Sequence, residues 1–135
     1  MSVKTFADSN VMIYAFSSSD IKKRDKVQRI FDDCHLVIST QVLREFINVM
    51  TRKLGVSLEN IKQQIDHIIS ISTVVGEDLE SIHEGIEVHQ IYKFGFYDSL
   101  IVSAALRTGC TVLLSEDMHH GQVINGVLTI INPFA

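Results

Sequence analysis

Apolar residues recur along this chain in two patterns, and their alternation predicts strands separated by helices. Short β-rich or continuously apolar runs predict strands at about 3–7, 36–39, 71–75, 111–115 and 127–131. Apolar residues at helical spacing predict helices over about 21–34, 40–54, 57–70, 78–93 and 98–107, with a short helical turn over 11–16. Ser57 and Asp78 are suited to begin helices, and Gly55 and Gly109 to end them.

Strands that alternate with helices predict an α/β fold in which a mainly parallel sheet is covered by helices on both faces. We therefore expect a three-layer α/β/α architecture with a central sheet of four to five strands. A length of 135 residues without internal repeats or linkers predicts a single domain over 1–135. In such sheets, binding sites gather beyond the carboxyl ends of the strands.

Composition narrows the class of protein. The chain is 46% hydrophobic and 21% charged, as is typical of a globular protein with a well-filled core. No apolar stretch approaches the length of a membrane span, and the N-terminal residues have no signal-peptide pattern. We therefore expect a cytoplasmic protein with no membrane partner. Cys34 and Cys110 lack C-x-x-C spacing and are expected to be free thiols.

Charge is distributed unevenly, and two segments have two interpretations each. Residues 1–62 carry ten Lys/Arg against seven Asp/Glu, whereas residues 63–135 carry two against nine, which together give the net charge of -4. The basic run over 22–29 is either the solvent-facing side of a helix, which we favour, or a nucleic-acid contact. The aromatic bend over 94–97 can stack bases, but we expect core packing.

Acidic residues stand where predicted strands end or helices begin. Asp8 follows the first strand, Glu45 lies one and a half turns into the helix after the second, and Asp98 begins a helix. Glu116 and Asp117 follow the strand over 111–115. We expect these carboxylates to meet at one edge of the sheet. Their mutual repulsion near apolar surface would need an opposite charge, for which a divalent cation is suited.

Each acid taken alone also has a structural explanation. Asp8 and Asp98 can cap a turn or a helix. Glu116 and Asp117 can be loop acids, and Glu45 can pair with basic residues of its own helix, namely Arg44, Arg52 and Lys53.

Taken together, the acids predict metal-assisted phosphodiester chemistry. Mg²⁺ and Mn²⁺ prefer oxygen ligands, and a cluster of three or four carboxylates can hold one or two such ions. The metal would polarise the phosphodiester and lower the pKa of the attacking water, which a non-ligating carboxylate can position or deprotonate. Ser9, Asn10 and Ser115 are suited to hold the carboxylates by hydrogen bonds.

Four segments resemble the motifs of the PIN-domain family, and within it the VapC-type toxins of toxin–antitoxin pairs. They are Asp8-Ser9-Asn10 with the apolar residues that follow up to Tyr14, the segment 39–46 that bears Glu45, the segment 97–106 that begins Tyr97-Asp98, and Ser115-Glu116-Asp117. The resemblance covers nearly the whole chain. It implies a Mg²⁺- or Mn²⁺-dependent endoribonuclease that hydrolyses single-stranded RNA, works as a homodimer and is blocked by a cognate antitoxin protein.

The resemblance also implies site residues. Asp8, Glu45 and Asp98 would be the core catalytic acids and metal ligands, and Asp117 matches the family's fourth acid. Glu116, beside it, competes for that role or supports the other acids, and the sequence leaves the choice open.

Two other functions compete with a nuclease. One is a non-catalytic PIN-like module that binds RNA or protein. The other is an aspartyl phosphotransfer domain, but a phosphatase of that kind needs an Asp where this chain has Asn10, and a receiver needs a Lys where this chain has Ser115-Glu116-Asp117.

Overall fold

A six-stranded sheet forms the centre of the computed structural model, which describes residues 2–135. The strands are β1 (Val3–Ala7), β2 (Cys34–Ser39), β3 (Thr73–Val75), β4 (Val112–Leu114), β5 (Val123–Ile124) and β6 (Leu128–Ile131). Their order across the sheet is β3-β2-β1-β4-β6-β5, and every pairing is parallel except that of β5 with β6. The predicted α/β fold with a mainly parallel sheet is confirmed.

The sheet has more than the four to five strands that we expected, because β5 went unrecognised. Two residues are too few to show a period-2 pattern. A turn at Asn125-Gly126 reverses the chain into β6, with φ values of 53° and 69°. The amide of Val127 donates to the carbonyl of Ile124 across this turn. Asn-Gly is the strongest short-range signal for such a hairpin, so the sequence does carry a mark of it.

Helices cover both faces of the sheet. They are α1 (Ser9–Phe16), α2 (Ile21–Asp32), α3 (Thr40–Arg52), α4 (Leu58–Ile71), α5 (Leu79–Tyr92) and α6 (Phe96–Arg107). The chain passes from β1 through β2 to β3 in one direction and then returns across the sheet to β4. Because parallel crossovers are right-handed, α1–α4 lie on one face and α5 and α6 on the other. Across residues 2–135, the helices are too short or too polar to cross a membrane.

Side chains fix several helix starts as the sequence predicts. Ser57 accepts from the amide of Asn60 at 3.3 Å, and Asp78 forms a capping box with Ser81. Asp98 differs, because α6 begins two residues earlier at Phe96, after Gly95. Asp98 therefore lies inside the first turn, and no side chain caps this helix. The N-cap interpretation of Asp98 is wrong.

The core lies between the sheet and its two helical layers. Phe6, Phe46, Ile38 and Leu113 are among its fully buried side chains. Ile61 and Ile68 form the buried stripe of α4, whereas Ile69 is 51% exposed.

Candidate active site

The strand order concentrates acidic residues at one place on the sheet. β1 and β4 are neighbours, and the chain reverses its direction of travel across the sheet between them. Such a reversal leaves a crevice outside the carboxyl ends of the two strands. Asp8 leaves β1 at this crevice, and Ser115 leaves β4. Because α6 leads into β4 and runs against the strands, its first turn brings Asp98 to the same edge.

Asp8 forms the inner wall of this crevice. It is 6% exposed, accepts from the backbone amide of Ser9 at 2.7 Å and accepts from the Ser115 hydroxyl at 2.9 Å. Burial raises the pKa of Asp8 from 3.8 to about 6, while the bonds from Ser9 and Ser115 lower it and the charges of Asp98 and Glu45 raise it further. Asp8 thus caps α1, as one interpretation held, but it is also a buried carboxyl group among other acids.

Gln41 ties Glu45 to the start of α6. Gln41 is 5% exposed. Its side-chain amide donates to Oε1 of Glu45 at 3.3 Å and to the backbone carbonyl of Tyr97 at 3.2 Å. Burial raises the pKa of Glu45, and the charge of Asp98 adds to the rise. Gln41 therefore holds this acid beside Asp98. Gln41 is not among the predicted site residues, although it precedes Glu45 by one helical turn and so lies on the same face of α3.

Glu45 makes no salt bridge with the basic residues of its helix that were considered as partners. Arg44 instead pairs with Glu77, with 3.0 Å between its guanidinium and the carboxylate. Neither Arg52 nor Lys53 forms a salt bridge with Glu45. The ion-pair interpretation of Glu45 is wrong.

Asp98 and Asp117 form the outer rim. Partial burial raises the pKa of Asp98, and the charge of Asp117 raises it further. Asn10 donates from its side-chain amide to Oδ2 of Asp117 at 3.1 Å, and its oxygen accepts from the backbone amide of Glu116 at 3.3 Å. Asn10 therefore holds the turn after β4 against the start of α1.

Glu116 points to a different set of groups from its neighbour Asp117. Its carboxylate accepts from the Lys23 ammonium at 2.8 Å and from the Tyr14 hydroxyl at 2.9 Å. The hydrogen bond from Lys23 is the main cause of the lowered pKa of Glu116. No sequence signal foretold this contact, because Lys23 lies in the basic run 93 residues earlier.

The aromatic bend before Asp98 is more open than we expected. Tyr97 is 71% exposed and Phe96 is 37% exposed, with their rings edge to face and centroids 5.8 Å apart. The prediction of core packing is wrong for these two residues, whereas Phe94 stacks on Tyr92. The first turn of α6 projects beyond the buried stretch that begins at Ser99, which explains the exposure.

A cavity of about 220 Å³ adjoins the outer rim. Asn10 and Asp117 line it on the acidic side, and Lys53 adds a positive charge. The remaining wall is largely apolar and includes Ile13, Val49 and Leu54. Such a space, apolar with a few polar groups, is suited to a flat organic group beside a charged one.

The side chains at this edge fit a hydrated divalent cation better than a tightly enclosed one. Within residues 2–135, no three His, Cys, Asp or Glu side chains are close enough to hold a metal ion together. Besides burial, the charges of Asp98 and Glu45 nevertheless raise the pKa of Asp8 and the charge of Asp98 raises that of Glu45, and no salt bridge in the described chain neutralises these acids. Oxygen donors that leave room for water suit Mg²⁺, which usually keeps several waters and binds one or two carboxylates.

Comparison with known proteins gives one family and one fold. A family model described as PIN domain matches residues 5–123. Among solved structures, the chain is similar to a toxin–antitoxin complex from Klebsiella pneumoniae, at 18% identity and a TM-score of 0.71 over 96% of this chain and 97% of that one. It is also similar to DNA-bound VapBC from Salmonella typhimurium, at 20% identity and a TM-score of 0.66 over 95% and 96% of the two chains.

A third similar structure is VapC20 of Mycobacterium tuberculosis, described as a toxin that cleaves the sarcin-ricin loop. The identity is 13% and the TM-score 0.67, over 81% of this chain and 86% of that one. No curated protein matches this chain significantly. At these identities the likeness to solved structures concerns the fold alone.

Proposed function

This chain belongs to the PIN-domain family, and from that premise we propose that it is a metal-dependent endoribonuclease and the toxin of a toxin–antitoxin pair. The observation that carries the proposal is the buried carboxyl group of Asp8, which has other acids around it and a pKa raised to about 6. Burial of an acid among acids lowers stability, and perturbed acids of this kind concentrate at functional sites.

The proposed site residues have distinct roles. Asp8, Glu45, Asp98 and Asp117 would hold a hydrated Mg²⁺ or Mn²⁺, directly or through its waters, and the ion when bound would stabilise negative charge on the phosphate oxygens and activate water. Ser9 and Ser115 fix Asp8, Gln41 orients Glu45, and Asn10 orients Asp117. The raised pKa of Glu45 makes its carboxylate a better proton acceptor than an ordinary glutamate, which suits an acid that positions or deprotonates the attacking water.

Single-stranded RNA suits the surroundings of the site. Tyr97 and Phe96 are exposed next to Asp98, and bases of an unpaired strand stack on such rings. The cavity beside Asp117 offers Lys53 for a phosphate and an apolar wall for a base. The similar VapC20 is described as cleaving the sarcin-ricin loop, which supports RNA as the substrate here.

We also propose a homodimer and a cognate antitoxin as partners, in the cytoplasm. Two of the similar structures are toxin–antitoxin complexes or VapBC assemblies. Large apolar side chains of α4 and α5 are strongly exposed, among them Leu58 at 69%, Leu79 at 79% and Ile91 at 68%. Exposed apolar surface of this kind favours contact with another protein.

Cleavage of a mixed RNA pool tests the nuclease directly. Purified protein is expected to cut RNA in Mg²⁺ or Mn²⁺ and to stop when EDTA is added, because the carboxylates alone do not activate water. Asp8→Asn is expected to abolish cutting, whereas Asp66→Asn, an exposed aspartate of α4, serves as the matched control and is expected to cut like wild type.

Other outcomes separate the alternatives. Equal cutting by wild type and Asp8→Asn would show that the site is assigned wrongly. RNA that is retained but never cut, with any divalent cation, would favour the non-catalytic binding module. DNA of the same sequence, run in parallel, reports whether the substrate is RNA.

A further inference from the structure

We infer that Lys23 is a positioning residue that determines which acid of the pair Glu116 and Asp117 faces the metal site. This inference rests on the proposed function. It goes beyond it because it gives Lys23 a role through its contact with Glu116 and not through contact with substrate or metal.

The two acids are adjacent in sequence but have different partners. Glu116 accepts from Lys23 at 2.8 Å and from Tyr14 at 2.9 Å. Asp117 accepts from Asn10 and lies close enough to Asp98 for their charges to interact. Lys23 and Tyr14 hold the Glu116 carboxylate beside α1 and α2, whereas the charge of Asp117 reaches Asp98, so Asp117 is the acid of the pair that faces the other acids.

Lys23 is itself held firmly for a surface lysine. Its ammonium lies 4.7 Å from the centroid of the Tyr14 ring and 4.7 Å from that of Phe134, an arrangement in which both rings attract the cation. The two rings pack edge to face at 5.0 Å. The backbone amide of Lys23 donates to Asp20, which caps α2. Contacts of its own thus hold Lys23 in the position from which it donates to Glu116.

The turn after β4 is fixed on its other sides as well. Ser115 donates to Asp8, and Asn10 contacts both the amide of Glu116 and the carboxylate of Asp117. With the backbone held in this way, loss of Lys23 leaves the Glu116 side chain with Tyr14 as its remaining donor and makes it the group best able to change direction. It would then compete with Asp117 for the metal.

A fold defect is not the expected consequence of losing Lys23. The side chains of Lys23 and Glu116 are 33% and 26% exposed, and ion pairs that remain in contact with water contribute little to stability. The effect that the geometry predicts is therefore on ligand choice.

Metal titration in two backgrounds tests this. The Mn²⁺ affinity of the full chain is measured by isothermal titration calorimetry without RNA. Asp117→Asn and Glu116→Gln are each introduced into the wild-type protein and into the Lys23→Met variant, and each loss of affinity is compared with the parent protein. In wild type, Asp117→Asn is expected to weaken binding by roughly 10-fold or more, and Glu116→Gln to change it little. In Lys23→Met, the loss from Asp117→Asn is expected to fall below about 3-fold, because Glu116 replaces the missing ligand.

Two matched variants serve as controls. Lys22→Met removes the same charge from the exposed neighbouring residue and is expected to leave the dependence on Asp117 as in wild type. Lys23→Arg, which keeps a cation for Glu116, is expected to do the same.

The outcomes separate the two proposals. If Asp117→Asn costs the same affinity with and without Lys23, Lys23 has no role in ligand choice, although the metal site stands. If wild type binds no Mn²⁺, or Asp8→Asn binds it as well as wild type does, both the positioning role and the proposed function are overturned.

Discussion

Asp8 and Asp78 each begin a helix, in two regions of the molecule with opposite surroundings. Asp8 caps α1 in the crevice between β1 and β4, where burial raises its pKa to about 6. Asp78 caps α5 in contact with solvent, where Arg107 donates to it at 2.9 Å and is the main cause that lowers its pKa to about 2.

The difference separates an acid that its structural contacts explain from one that they do not. The cap of α5 and the ion pair with Arg107 explain the presence of an aspartate at position 78, because both contacts favour its charged form. Capping alone does not account for Asp8, since an exposed Asp, Asn or Ser would cap α1 without a buried charge. The crevice therefore keeps a carboxylate that lowers stability, as expected where activity and stability conflict.

Asp8→Asn is expected to have the largest effect. It should abolish cleavage and, in divalent-free buffer at pH 7, raise the free energy of unfolding by up to about 3 kcal/mol, since the pKa is raised by about two units at roughly 1.36 kcal/mol each. Urea unfolding of both proteins measures the gain. Saturating Mn²⁺ should reduce the difference, because only wild type gains stability from the bound ion. A mutant less stable than wild type in EDTA would contradict the functional interpretation of Asp8.

The pH dependence of stability should show two opposite effects. The pKa of Asp8 is raised from 3.8 to about 6, so the native state binds the extra proton and stability from this group rises as pH falls from about 6 towards 4. The pKa of Asp78 is lowered to about 2, so its stabilisation is present above about pH 4 and is lost as pH falls towards 2.

Urea unfolding across this pH range, without divalent cations, measures both effects. The difference between wild type and Asp8→Asn should shrink below pH 6, and that between wild type and Asp78→Asn should shrink only below pH 4. If both differences in stability shrank over the same pH range, the two aspartates would not differ in the way that their pKa shifts predict.

Asp78→Ala is expected to have the smallest effect. It removes the cap of α5 and the partner of Arg107, both in contact with solvent, so stability should fall slightly and by much less than Asp8→Asn raises it. RNA cleavage should stay at the wild-type level. Loss of cleavage in this variant, with the fold intact by circular dichroism, would place Asp78 in the functional region.

The sequence predicted where the acids meet but not how each one is held. Parallel strands bring their carboxyl ends to one edge, so Asp8 and the turn at Ser115 had to be neighbours once β1 and β4 paired. Glu116 is held by Lys23, a residue on another helix that no local pattern links to the turn after β4. The exposure of Tyr97 depends on how far α6 extends beyond the sheet, which helical spacing alone does not set.

The bond from Ser115 to Asp8 joins residues that are 107 positions apart. During synthesis, Asp8 therefore leaves the ribosome long before Ser115, whose hydroxyl fixes Asp8, or the turn that carries Asp117 has been made. The acids at this edge of the sheet can therefore come together only after β4 has emerged from the ribosome.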